Sequence, residues 1–300
     1  REIFVDVPSL EFLHIGNRDL QIPCNINIDN CRNLKAFLLE AVSSVFVSNE
    51  WLLETFNKFP FLERLEFNAC VTSESIRISS FRLKVLSIDW CLDMKEAQIN
   101  APNLESFRYF GTNRNVPAIS FVNCSDQLEF DAAFSIHSCL YLERFRVFLQ
   151  NIEPRNVMTS LTLGMHNGSP IAYNEDVLQN VPVQIKQLIL RVGEEAEEVC
   201  ELLINALFWS FRPAIVSLLL RLCSKMFVKV LLEKLRYKDE EGNKMKCWWH
   251  DLKDVKVKSS PKKYENLIDC EALLDSLPTR ASFFSPDREI SFELWWDSSE

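Results

Sequence analysis

The residues of this 300-residue chain best equipped for chemistry are its ten cysteines and four histidines. Their spacing does not assemble them. His14, His137, His166 and His250 stand far apart, and no Cys-x-x-Cys pair of the zinc-binding kind occurs. Cys247-Trp248-Trp249-His250 offers one ligand pair without a second, and reads as the approach to a strand. With six glycines there is no phosphate-cradling loop. Lys253, Lys256, Lys258, Lys262 and Lys263 form the basic cluster, which reads as a solvated face. No nucleophile–base pair, metal set or cofactor site is expected, and therefore no enzyme. The formal charge of −9 argues against nucleic acid and anionic membranes as partners. No apolar run is long enough to span a bilayer. The opening Arg1-Glu2, with neither Met nor a signal peptide, reads as a chain that starts inside a longer protein.

What must hold these residues is a repeat. Leu62, Leu65, Phe67 and Cys70 stand at offsets zero, three, five and eight, and Leu83, Leu86, Ile88 and Cys91 repeat those offsets 21 residues later. This is the leucine-rich-repeat phrase, whose unit is a short strand plus a helix or 3₁₀ turn. Alternate strand side chains share a face, so the third and fifth positions turn inward together. A lone unit cannot bury that face, so units stack around a common core. Cys70, Cys91 and Cys223 fall at the inward eighth offset and read as reduced, buried thiols, which points to the cytoplasm or nucleus. The sequons at Asn123 and Asn167 are the opposing signal.

The same frame starts at Leu10, Leu34, Leu62, Leu83, Leu104, Ser125, Met158, Ile185, Ile215 and Leu252, with inward pairs from Leu13/Ile15 to Val255/Val257. Pro8, Pro60, Pro102 and Pro213 each precede a start by two residues, where proline suits the beginning of a strand. Longer connections predict helices. Ser48 or Asn49 caps one that buries Trp51, Leu52, Thr55 and Phe56. Glu194 to Glu198 opens a second, with Val199, Leu202, Leu203, Ala206 and Leu207 as its buried stripe. A third spans Phe227 to Leu235. Leu142, Phe145 and Leu149 fit a helix or a strand, and Leu267 to Leu277 suggests a last helix. Period-two alternation over Glu289–Asp297 predicts a final strand closing the open end of the stack. The expected fold is thus an α/β leucine-rich-repeat solenoid, a curved parallel sheet with helices and loops on the convex side. Residues 1–263 form the solenoid and 264–300 a capping helix and strand.

Function then falls to the concave strand face, at offsets two, four and six. It carries Phe12, His14, Leu38, Glu40, Arg64, Glu66, Asn68, Asp89, Arg108, Phe110, Gln127, Glu129 and Asp131, with Gln187, Ile189, Arg191, Arg221, Lys256 and Lys258 in a basic last third. Arg64, Glu66, Asp89, Arg108, Phe110 and Glu129 are the expected protein-binding residues. Arg108→Glu is expected to weaken partner capture and leave the melt unchanged.

Several stretches resemble the repeat region of plant F-box proteins. They are the cysteine-ended repeats, Ala101 to Tyr109, Leu207-Phe208-Trp209-Ser210 with Arg212-Pro213, and Cys247-Trp248 followed by Leu252 to Lys256. The resemblance implies the substrate-selecting part of a cullin-type ubiquitin ligase subunit, with a protein substrate as partner. A Skp-type adaptor and cullin would join only through an F-box, and none stands in this chain. The other reading is a stand-alone repeat scaffold or inhibitor with no ligase link.

Overall fold

The computed structural model describes residues 2–16, 25–42, 45–91, 93–112, 116–125, 127–136, 140–141, 148, 158–165, 171–172, 183–192, 196–219, 225–236, 252–259, 263–264 and 289–296. It is an α/β fold, mostly parallel β-sheet with few helices. Two compact units divide it, residues 1–133 with 147–158 and residues 134–146 with 159–300.

The first unit contains β1 (Glu2–Asp6), β2 (Phe12–Gly16), β3 (Asn25–Asp29), β4 (Ala36–Glu40), β5 (Phe46–Val47), helix α1 (Asn49–Lys58), β6 (Arg64–Asn68), β7 (Val71–Thr72), β8 (Ser75–Ser79), β9 (Val85–Asp89), β10 (Glu96–Ala101), β11 (Ser106–Thr112), β12 (Ala118–Cys124) and the first residues of β13 (Glu129–Ile136). The main sheet runs β2-β4-β6-β9-β11, all parallel. Its register is the predicted one: Leu13, Phe37, Leu65, Leu86 and Phe107 lie in one row, and Ile15, Leu39, Phe67, Ile88 and Tyr109 in the next. From Phe37 onward these side chains are at most 2% exposed. Burial of each such side chain stabilises the fold by about 1.5–3 kcal/mol.

The opposite layer differs from expectation. Where the repeat is 21 residues long, the return path is a strand and not a helix or loop. β8, β10 and β12 form a second parallel sheet. Ile76, Ile78, Ala97, Ile99, Ile119 and Phe121 point into the core, and Phe121 meets Phe107 of the main sheet at 5.5 Å between ring centroids. The cause is length. A turn of helix advances 5.4 Å in 3.6 residues, whereas five extended residues cross the same coil. β1 and β3 pair likewise, as do β5 and β7. The 28-residue repeat from Leu34 has room for a helix, and α1 forms there as expected. Ser48 caps it, accepting the Trp51 N–H at 3.2 Å. Leu52 and Thr55 are buried, and Trp51 packs its ring on Phe37 and Phe67.

Three of the prolines are explained by turns. The N–H groups of Leu10, Leu62 and Leu104 donate to the carbonyls of Val7, Phe59 and Ala101, which puts Pro8, Pro60 and Pro102 second in a four-residue turn, a position their fixed φ favours. Leu34 and Leu128 close the same turn. The frame set at Ser125 is therefore displaced. Leu128 takes the starting position, and Phe130 packs beside Phe107 at 5.1 Å.

The second unit holds the rest of β13, β14 (Leu140–Tyr141), β15 (Met158–Met165), β16 (Ile171–Ala172), β17 (Val183–Val192), α2 (Glu197–Ser210), β18 (Phe211–Leu219), α3 (Lys225–Arg236), β19 (Leu252–Ser259), β20 (Lys263–Tyr264) and β21 (Glu289–Trp296). β15, β17 and β18 are parallel, with Leu161 and Leu188 in register. Leu188 faces Val216 and Ile185 faces Pro213, so this repeat starts at Pro213, two residues before the expected Ile215. The final strand also differs from expectation. β21 does not close an end but lies between β18 and β19, antiparallel to both. Ile290, Phe292 and Leu294 are buried as the alternation required. In α2 the buried stripe includes Leu203, Ala206 and Leu207, while Leu202 is 40% exposed. Lys229 and Lys234 of α3 pair with Glu197 and Glu201 of α2. The stretches from Leu142 to Leu149 (Phe148 apart) and from Leu267 to Leu277, with Glu194, Arg221, Cys223 and the Cys247–His250 run, lie outside the described residues.

Candidate functional site

The face of the first unit's main sheet turned away from its core is a registered grid. One row is Phe12, Ala36, Arg64, Val85 and Ser106. The next is His14, Leu38, Glu66, Ser87 and Arg108, and the third Gly16, Glu40, Asn68, Asp89 and Phe110. Parallel pairing sets neighbouring strands about 4.8 Å apart, so the rows form a fixed two-dimensional pattern.

Residues just outside the strands hold the grid in place. Ala41, Ala69 and Trp90, one past the ends of β4, β6 and β9, have φ of 52°, 52° and 58°. Each N–H from this left-handed turn donates to a carbonyl on the next strand: Asn68, Asp89 and Phe110. The eighth-offset cysteines follow. Cys70 donates its thiol to the Leu39 and Asn68 carbonyls, and Cys91 donates to that of Asp89. Burial pushes the Cys91 thiol up to about 12, so it is no nucleophile at neutral pH. At the other end of the strands, offset one reads Glu11, Lys35, Glu63, Lys84, Glu105, an alternation of sign from coil to coil. Lys35 meets Glu11 at 2.9 Å and Lys84 meets Glu63 at 3.1 Å.

Five of the six expected binding residues come together on the grid. Arg64 donates to Glu66 at 2.5 Å. Arg108 donates from Nε to Ser87 Oγ at 3.1 Å and from Nη2 to Asp89 Oδ2 at 3.0 Å. Asp89 Oδ1 is buried without a hydrogen-bond partner among the described residues. Burial raises the Asp89 pKa, and the Arg108 charge opposes that rise. Phe110 packs against Trp90 at 4.4 Å. His14 and Glu40 pair at 3.1 Å along the grid's edge. Glu129 is the exception. Its N–H donates to the Glu105 carbonyl, so it continues the offset-one series and lies off the three rows. Sequence reasoning missed Trp90, because an aromatic residue after a strand carries no periodic signal.

In the second unit the corresponding face carries Ser160, Gln187 and Ile215 in one row and Thr162, Ile189 and Ser217 in another. Gln187 donates to Ser217 at 2.9 Å. The expected basic character is reduced by β21. Glu293 pairs with Lys258, and Lys256 lies over the Trp295 ring at 5.0 Å. Among the described residues no His, Cys, Asp or Glu group has metal-binding geometry, and no helix is long and apolar enough to cross a membrane.

The geometry suits contact with another macromolecule: side chains of mixed character on a stiff ladder, exposed Phe12, and arginines half-exposed above carboxylates. A family model described as the LRR domain of At1g61320/AtMIF1 matches residues 6–258. No curated protein and no solved structure matches the chain.

Proposed function

From the premise that this chain belongs to the plant leucine-rich-repeat family of the At1g61320/AtMIF1 domain, we propose that it is a non-catalytic module that holds a protein substrate. It does so on the β2-β4-β6-β9-β11 face, as the recognition part of a Skp/cullin/F-box ubiquitin ligase subunit. The observation that carries the reading is the three-row grid. Arg64, Glu66, Asp89, Arg108 and Phe110 are spaced by strand pairing and fixed by their own ion pairs, so little side-chain freedom is lost when a partner docks. The proposal includes a repeat solenoid over residues 1–263 and residence in the cytoplasm or nucleus, where buried thiols stay reduced. Its support for the ligase link is the resemblance of the cysteine-ended repeats to those of plant F-box proteins. The alternative is a repeat scaffold or inhibitor without that link.

Affinity capture with the product of the complete coding sequence tests both parts. Recovery of a Skp-type adaptor and a cullin supports the ligase role, and capture of a target without them favours the scaffold. A target retained equally by the wild type and by Glu66→Lys/Phe110→Ser would rule out this face.

A further inference from the structure

Helix α1 occupies the outer layer between β3 and β8, where the 21-residue repeats place a strand. A helix is about 10 Å across and a strand takes about 4.8 Å, so α1 cannot sit tightly against both neighbouring coils. It is drawn to one side. The Asn49 amide at its first turn accepts the Arg77 N–H at 2.6 Å and donates to the Ser75 carbonyl at 3.3 Å, so it pairs with the open edge of β8. On the other side, towards Ile28 of β3, a cavity of about 280 Å³ remains. Phe37, Trp51 and Phe59 supply its aromatic walls, with Ile28, Leu39 and Val45 between them. The rings are held in place by each other, Phe37 to Trp51 at 6.2 Å and Phe37 to Phe59 edge-on at 5.9 Å. At the rim stand Glu54 and Lys58, one helical turn apart and both exposed.

We propose that this cavity is a binding site for a small, uncharged aromatic molecule of about two fused rings carrying one hydroxyl group. Size and lining select that class. An enclosed apolar cavity of about 150 Å³ takes benzene. This one has nearly twice that volume and is open to solvent, so it admits a bicyclic ring with a polar group at its mouth. The walls offer dispersion, aromatic edges and the buried Thr55 side chain but no buried charge, which disfavours an ionised body. The rim carries one charge of each sign, and Glu54 can accept from a hydroxyl group. The site lies on the layer opposite the proposed protein-binding grid and is independent of that reading. Its occupant would fill the gap beside α1 and so stiffen the helix whose Asn49 shields β8.

The test is titration of the 300-residue protein with 2-naphthol, followed by the ligand's fluorescence and by calorimetry. The expected result is saturable one-to-one binding with a Kd of about 0.1 mM, in the range that ligand efficiency allows for eleven heavy atoms. Val45→Phe fills the cavity from within and should weaken binding at least tenfold. Glu54→Trp covers the mouth from an exposed helix position, where added size does not disturb the core, and should weaken it severalfold even if Val45→Phe fails to fold. Absence of saturable binding up to 1 mM would overturn the proposal. So would wild-type affinity in Glu54→Trp, or equal affinity for 2-naphthalenesulfonate, whose charge the walls should reject.

Discussion

Asp89 is a proposed binding residue whose charged form is disfavoured by burial. One of its oxygens is buried without a partner and the other leans on Arg108. Because burial raises its folded pKa, Asp89 favours the fold while protonated. That contribution is present below its unfolded pKa of about 4 and is lost as pH rises through the higher folded value. At pH 7 the carboxylate is therefore a net cost. Asp89→Asn should raise the melting temperature at pH 7, and the difference should vanish near pH 3. The same contact revises the expectation for Arg108→Glu. A second carboxylate beside Asp89 should lower the melt as well as partner capture, and raised salt should recover part of the loss. Cys91 has the same sign at higher pH. Its thiol is protonated in the fold up to about 12 and ionises earlier when unfolded. Stability should fall from about pH 9 up to about pH 12, more steeply in the wild type than in Cys91→Ala. A thiol reagent at pH 8 should label Cys91 only after denaturation.

At the scale of elements, α1 protects an edge. Unpaired strand edges invite pairing with other chains, and Asn49 occupies the one on β8. Asn49→Ala should destabilise the first unit by about 1–2 kcal/mol, one hydrogen bond at a time, and speed amide exchange at Arg77. The alternating charges at offset one make a second prediction at this scale. Lys84→Glu would put three carboxylates in line with Glu63 and Glu105. It should cost about 1 kcal/mol, consistent with the small worth of exposed pairs, and be relieved by salt. The inner strands were legible because Leu65, Leu86 and Phe107 recur with both the strand period and the repeat period. The outer strands carry their own alternation, as in Ser75-Ile76-Arg77-Ile78-Ser79, but no leucine at a fixed offset, and so were not foreseen. The expected Ile215 start stands two residues late because apolar residues alternate there, and a two-residue shift keeps the same face inward. At Ser125 the displacement is three, because Leu128 closes the turn and Phe130 already faces the core. Nothing local could show that β21 inserts antiparallel, since alternation fixes which side is buried and not which neighbour a strand takes.

For each unit as a whole, the core is shared, so damage at one rung spreads. Leu86→Asp places an unpaired charge among Leu65, Phe107 and their neighbours, at a cost of several kcal/mol. Circular dichroism should show the first unit's strands lost at room temperature, and a wild-type melt would contradict the register. The binding grid depends on the same ladder, since the rows exist only while the strands stay in step. Membership of the At1g61320/AtMIF1 domain family covers both units, from residue 6 to residue 258.

From Glu11 to Glu105 the offset-one series Glu11, Lys35, Glu63, Lys84, Glu105 alternates in sign, and Glu129 beside Glu105 ends the alternation. Loss or gain of a single 21-residue segment would set glutamate on glutamate or lysine on lysine at the new junction. Loss or gain of two adjacent segments restores opposite signs. Inside that run, exchange of two adjacent segments would keep the ion pairs that exchange of one would lose, at about 1 kcal/mol or less for each pair.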